Sequence, residues 1–333
     1  MKEKIDKIYT ILSINKESFL KKIAISIGDL NGIGIQLALE NHTALSALIT
    51  PVYCIDKTML AQAAKKLNLT VPSDFKTVDN IAPSFDIEAG VVCAKSGRYA
   101  YGSFEKAVAL ANAKQVDAVT TLPIHKKAWE KAGIDYKGHT DALRDFFDAE
   151  AIMMLGCDKM YVALYTEHIP LKEVASHINE KELTRFLLDF YRTTKPTSTV
   201  AVLGLNPHAG DDGVLGDEES IIQRAINHSN LIINPKYCRG KDTPTYSDPL
   251  VPDVAFTPNV RKQYKHYVAM YHDQGLAPLK ALYFDEGINV SLNLPILRTS
   301  VDHGTAFDIA YKGIKLNALS YINAIKYILK QDA

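Results

Sequence analysis

Paired cysteines are missing from this chain. Its four, Cys54, Cys93, Cys157 and Cys238, are scattered over 333 residues with no CxxC among them. Neither a zinc knuckle nor a redox dithiol is therefore indicated, and reduced, buried thiols in a cytoplasmic protein are the plain expectation. An excess of charge is missing too, since 38 basic residues cancel 38 acidic ones. A nucleic-acid binder draws its affinity from neutralising phosphates and carries a basic footprint, so that class is excluded. Any anionic ligand must be held by a local constellation. No apolar run approaches the ~18–20 residues of a membrane span, and no membrane partner is expected. The N-terminal stretch has charges on both sides of a short apolar patch and no small-residue cleavage site, unlike a signal peptide. It can form an amphipathic helix on Ile8, Ile11, Leu12 and Phe19. Finally, Gly28, Gly32 and Gly34 do not match GxGxxG, so the Rossmann dinucleotide turn is declined.

What is present is a globular composition, 47% hydrophobic and 23% charged. The length predicts two domains, roughly 150 residues each. Strand and helix patterns alternate from residue 22 onward without repeats or a low-complexity linker, which makes the class α/β. Strands are expected at 22–27, 50–55, 118–122, 152–155, 160–165, 199–205, 254–256, 267–271 and 288–294. Helices are expected at about 34–48, 57–67, 102–114, 173–193, 219–230, 306–311 and 318–329, and the polar stretch 297–305 reads as a loop.

The chemistry concentrates at strand ends. The run Tyr267-Val-Ala-Met-Tyr271 ends in His272-Asp273-Gln274-Gly275, and Lys280 follows eight residues on. In open α/β sheets that carboxyl end is where ligands bind. His168 and His208 follow two other apolar runs in the same way. Three imidazoles at equivalent ends of one sheet can converge on a divalent ion, with Asp273, Asp253 and Glu167 as carboxylates behind them. All-nitrogen ligands suit zinc, with cobalt, manganese or magnesium as alternatives. An anion-handling set stands beside them: His139, Thr140, Lys280, Asn289 and Arg298. Arg298 weighs most, because a guanidinium is permanently charged and meets phosphate or carboxylate bidentately. His139 and Thr140 open a helix pattern, where free N–H groups favour negative charge, although Thr140 also reads as a simple N-cap.

Several longer motifs carry a resemblance. They are Gly28-Asp29 with Gly32-Ile33-Gly34, Gly138-His139-Thr140, Gly204-Leu-Asn-Pro-His-Ala-Gly210, Tyr271-His-Asp-Gln-Gly275 and Arg298-Thr-Ser-Val-Asp-His-Gly-Thr305. With them the chain resembles the 4-hydroxythreonine-4-phosphate dehydrogenase (PdxA) family of vitamin B6 biosynthesis. That resemblance implies metal ligation by His168, His208 and His272, and substrate contacts by His139, Thr140, Lys280, Asn289 and Arg298. The wider group is similar to isocitrate and isopropylmalate dehydrogenases. It implies two α/β/α domains with the active site in the cleft between them, and an NAD(P) site at His303, Gly304, Thr305, Ala306 and Asp308. The domains would be 21–135 with 295–333 on the cofactor side and 136–294 on the metal, substrate and dimerisation side, after an extension over 1–20. The resemblance also implies a small phosphorylated substrate and a homodimer sharing its active sites, with His272 donated across the interface. Asp273, Asp253 and Lys280 are the candidates for proton transfer. Leu30-Asn31, His125, Asp141 and Asn293 depart from the family's usual Pro-Ala, asparagine, glutamate and glycine.

The residues leave other classes open. A metal-dependent phosphometabolite hydrolase would use the same histidines, with no task for the 302–308 loop. A catalytically silent metabolite binder is a further alternative. Among dehydrogenases the rival substrates are threonate or erythronate 4-phosphate, or a dihydrodiol.

Overall fold

The computed structural model describes residues 20–236 and 242–331. The amphipathic helix expected on Ile8, Ile11, Leu12 and Phe19, and Cys238, lie outside the described residues. Eleven strands are described: β1 Lys22–Ser26, β2 Thr50–Cys54, β3 Thr77–Val78, β4 Ala118–Thr121, β5 Ile152–Cys157, β6 Met160–Leu164, β7 Val200–Leu203, β8 Tyr246–Leu250, β9 His266–Ala269, β10 Ile288–Leu292 and β11 Arg298–Val301. The chain divides into two compact units, one of residues up to Ala142 with those from Pro295 onward, the other of Leu143–Leu294. The division falls inside the helix His139–Phe147.

In the first unit the strands run in the order β3-β2-β1-β4-β11, and every neighbouring pair is parallel. Parallel strands need helical crossovers that cover the sheet, so the central strands must be buried on both faces. β4 and β11 are buried at every position, and β1 at all but its first. Ile23, Ile25, Ile35, Leu37, Met59, Tyr321 and Ile325 belong to the core this creates. The second unit has the order β10-β5-β6-β9-β7-β8, antiparallel from β10 to β6 and parallel from β6 to β8. Val162, Leu164, Ala201, Leu203, Tyr267 and Ala269 are in its core.

Four segments differ from what the sequence predicts. The expected strand at 254–256 is instead the short helix Pro252–Ala255, started by a proline whose fixed φ suits a first helical position. The strand is β8, just before it. Among the described residues β8 pairs only with β7, at an irregular register, and such an edge tolerates Pro249. The polar stretch expected as a loop over 297–305 contains β11, a fully buried strand. Its polar atoms are paired within the sheet: Thr299 and Thr120 share a hydrogen bond of 3.0 Å, and the Arg298 guanidinium donates to Thr121 Oγ1 at 2.6 Å and 3.2 Å. The helix expected at 306–311 is a series of turns, because Ala306 and Tyr311 both take the left-handed φ that no α-helix admits. The helix expected from Gly102 begins at Ala94. Its Gly97 permits a close approach, since a Cβ there would lie 2.0 Å from the carbonyl oxygen of Ala128.

Candidate active site

In the second unit β6, β9 and β7 are adjacent and parallel, so His168, His272 and His208 all follow carboxyl ends on one side of the sheet. Those ends are laced together by polar groups. Thr166 Oγ1 donates to the carbonyl of Met270 at 2.6 Å. Gln274 accepts from the N–H of Met270 at 2.7 Å and donates to the carbonyl of Gly204 at 2.6 Å. One buried amide thus pins the end of β9 to the end of β7. The imidazole rings of His168 and His272 lie 5.6 Å apart within a single chain. His272 is the first residue of the helix His272–Tyr283, and its Nδ1 sits 2.7 Å from Asp273 Oδ1. A carboxylate on Nδ1 fixes the tautomer and leaves Nε2 as the donor for a metal. Glu167 pairs with Arg144 at 2.5 Å through Oε1, and its buried Oε2 has no partner among the described residues.

His208 is presented differently. It opens a left-handed run of five residues, His208 to Asp212, and Gly213 after them also has positive φ. Such a left-handed turn costs roughly 1–2 kcal/mol for each residue with a side chain, so something must hold it. From the next helix Glu219 anchors the backbone that enters the turn, accepting from the N–H groups of Leu205 and Asn206 at 2.8 and 2.7 Å and from Asn206 Nδ2 at 2.9 Å. Among the described residues no three histidine, cysteine or acidic side chains are grouped as a metal site. Two imidazoles, a donor type suited to a divalent cation, lie near each other, and His208 is not brought to them. Lys280 lies on the helix of His272, its Nζ 5.9 Å from the ring of Phe284. Asn289 lies on β10 with a buried Oδ1 that has no partner among the described residues. Asp253 is exposed on the helix Pro252–Ala255.

The first unit holds the other anion-handling residues. Arg298 is 2% exposed on β11, and burial lowers its pKa to about 9. His139 is buried edge-on against Phe104 and Trp129, with ring centroids at 4.9 and 5.4 Å. Burial first, and the charge of Arg298 second, hold its pKa well below the usual imidazole value. Its Nε2 is buried without a partner among the described residues. Thr140, also buried, stands next to it in the first turn of its helix. A buried cation beside a neutral imidazole and a helix start is a place where an incoming anion gains from both charge and N–H donors.

The same unit gathers three loops at the carboxyl edge of its parallel sheet. The N–H of Asp29 donates to the carbonyl of Pro123 at 2.9 Å, and that of Ile33 to the carbonyl of Thr305 at 3.1 Å. A side chain on Gly32 would meet that carbonyl oxygen at 2.7 Å. His125 stacks on Phe307 at 5.0 Å. His303, Gly304, Thr305, Ala306 and Asp308 thus lie on a loop fastened to the turn after β1 and to the turn after β4. His303 Nε2 and His125 Nδ1 are both buried without a partner among the described residues. Orphaned buried polar atoms at such an edge fit a polar ligand.

Sequence reasoning assigned no role to Gln274, Thr166, Asn206, Glu219, Thr121 or Asp29. Gln274 and Thr166 stand inside polar strand-end motifs, so their position was a signal. Glu219 lies more than a dozen residues from the backbone it holds, and nothing local marks it.

A family model for the pyridoxal phosphate biosynthetic protein PdxA matches residues 47–328. The chain belongs to the PdxA family. A PdxA-family relative, the 4-hydroxythreonine-4-phosphate dehydrogenase of Sulfurimonas denitrificans, is 58% identical over 305 residues, covering 92% of this chain and 96% of its own. The enzyme of the same name from Campylobacter fetus is 50% identical over 312 residues, covering 93% and 98%. Among solved structures, the 4-hydroxythreonine-4-phosphate dehydrogenase of Klebsiella pneumoniae superposes with a TM-score of 0.74 at 31% identity, covering 94% of this chain and all of that one. PdxA relatives are dehydrogenases, so this chain is an enzyme of the oxidoreductase class with an α/β dehydrogenase fold. Among the described residues no helix is long and apolar enough to cross a membrane.

Proposed function

We propose that the chain is a 4-hydroxythreonine-4-phosphate dehydrogenase of pyridoxal phosphate biosynthesis, dependent on NAD(P) and on a divalent metal. The observation that carries this reading is the imidazole pair His168 and His272 at parallel strand ends, 5.6 Å apart, with Asp273 holding the second ring. His208 completes the donor set when its left-handed turn brings it in. Zinc suits imidazole donors, with cobalt or magnesium as alternatives. When bound, the metal supplies Lewis acidity toward the 3-hydroxyl and the nicotinamide supplies a hydride acceptor.

The chain's own groups bind and orient the substrate. Arg298, His139 and Thr140 take its phosphate, an assignment supported by the buried charge of Arg298. Lys280 and Asn289 bind its polar backbone, and the orphaned Oδ1 of Asn289 is available to an amino group. Asp273 is engaged with His272, so it orients that ligand, which leaves Asp253 and Lys280 to accept the hydroxyl proton. Oxidation at carbon 3 gives a β-keto acid, and loss of CO2 from it gives 3-amino-2-oxopropyl phosphate. NAD(P) lies on the loop of His303, Gly304, Thr305, Ala306 and Asp308. The enzyme acts in the cytoplasm as a homodimer with shared active sites, and light scattering at twice the chain mass is the outcome expected.

The deciding experiment follows NADH or NADPH formation with 4-phosphohydroxy-L-threonine and added divalent metal, beside a chelator control. Metal-dependent reduced nicotinamide is expected. Turnover of threonate or erythronate 4-phosphate alone moves the enzyme to a sister reaction on the same scaffold. Silence with all three overturns the dehydrogenase reading in favour of a metal-dependent hydrolase.

A further inference from the structure

The turn after β4 carries a feature that the proposed chemistry leaves unused. His125 is half-buried, and its ring lies nearly parallel to that of Phe307, 23° between planes and 5.0 Å between centroids. Phe307 sits inside the loop of His303 to Asp308. The stack fixes the plane of the imidazole, so its two nitrogens have little freedom to seek partners by rotation. Yet Nδ1 is buried and has no hydrogen-bond partner among the described residues. Leaving a buried polar atom unpaired costs about 1–3 kcal/mol, so native structures rarely do it without a ligand or a water in mind.

Two neighbours sharpen the point. His303, on the facing loop, has a second orphaned imidazole nitrogen, Nε2, while its Nδ1 is 3.2 Å from the carbonyl of Gly304. The loops themselves are rigidly tied, through Asp29 to Pro123 and Ile33 to Thr305. Behind them Asn31 clamps a third segment with both ends of its amide. It accepts from the N–H of Glu88 at 2.9 Å and donates to the carbonyl of Val91 at 2.7 Å. Gly90, in that segment, packs so tightly on Phe307 that a Cβ would meet its carbonyl oxygen at 2.7 Å. Phe307 is therefore held from behind by Gly90 and faced by His125. An unpaired nitrogen in so constrained a frame is preorganised for an acceptor or donor brought by a ligand.

We propose that His125 is a cofactor-binding residue, its Nδ1 forming a hydrogen bond with the nicotinamide dinucleotide on the 303–308 loop. This rests on the reading of that loop as the cofactor site. The stack on Phe307 presents this nitrogen, whereas the ring carbons of a phenylalanine would keep the stack and lose the bond.

The chain provides its own probe. Trp129 is its single tryptophan, one helical turn beyond His125, with its backbone N–H bonded to the carbonyl of His125 at 3.2 Å. Energy transfer from Trp129 to bound NADH or NADPH reports binding without any turnover. We expect His125→Phe to raise the Kd for the reduced dinucleotide about ten-fold, as for one lost hydrogen bond to a buried partner. The KM for the phosphorylated substrate should stay at its wild-type value, and the melting temperature of the free protein should not fall. A second measurement needs no variant: the 15N resonance of His125 Nδ1, in protein labelled at histidine, should shift on addition of NADH. Wild-type affinity in His125→Phe, or an unmoved Nδ1 resonance in protein that does bind NADH, overturns the proposal while leaving the cofactor loop intact. Absence of binding of either dinucleotide to the wild-type protein overturns the loop assignment itself, and the proposal with it.

Discussion

Asp29 shows how much a single side chain can hide. Its carboxyl group is fully buried, 2.9 Å from the N–H of Asn31 and 3.2 Å from Ser96 Oγ. Burial pushes its pKa up to about 6, and those two hydrogen bonds pull it only partly back. The folded protein then holds this proton more tightly than the unfolded chain does, so stability falls as pH rises through the window from about 4 to 6. The whole contribution is about 3 kcal/mol at 1.36 kcal/mol per pKa unit. Asp29→Asn should remove that slope and be relatively more stable at pH 7.5 than at pH 4. Denaturation midpoints of the two proteins across this range check it, and parallel profiles would sink the idea. None of this was legible in the sequence, where Gly28-Asp29 stands out only as part of a family motif. The same holds for His125, whose type is visible but whose orphaned nitrogen is not. Arg298 is the reverse case. A guanidinium followed by Thr299 and Ser300 is conspicuous, and only its placement within a strand needed three dimensions.

Among elements, the sequence located best those that are continuously apolar. The apolar runs of β1, β6, β7 and β9 have few polar interruptions, and the strands lie there within one or two residues. β11 escaped because its polar groups are satisfied by another strand, Thr120 and Thr121 of β4, which no local pattern records. The left-handed run from His208 to Asp212 escaped because it is held by Glu219 rather than by its own residue types. Glu219→Ala should therefore free the N–H groups of Leu205 and Asn206, at a cost of about 1–3 kcal/mol. Amide exchange in residues 204–216 should quicken while that in β5 and β6 stays unchanged. Uniform quickening, or none, would show that the run stands without Glu219.

At the scale of the whole molecule, the α/β class followed from the alternation of strand and helix patterns, and the chain's two units are each built on sheet edges rich in polar side chains. Hydrogen exchange with ligands added one at a time tests how the chemistry is shared out. Zinc or cobalt should protect the strand ends near His168, Gly204 and His272, and a chelator should reverse it. NADH should protect the turns at 28–34, 123–125 and 303–308. Protection by metal confined to the first unit would refute the histidine assignment. In the first unit, β4 and β11 meet through a hydroxyl pair, Thr120 and Thr299, both wholly buried. Losing one hydroxyl strands the other in a place water does not reach, whereas replacing both by valine restores a matched, apolar surface. Substitutions at these two positions are therefore neutral only in tandem, so over evolutionary time they should be inherited as a covarying couple, joined across 179 residues of sequence by a single bond.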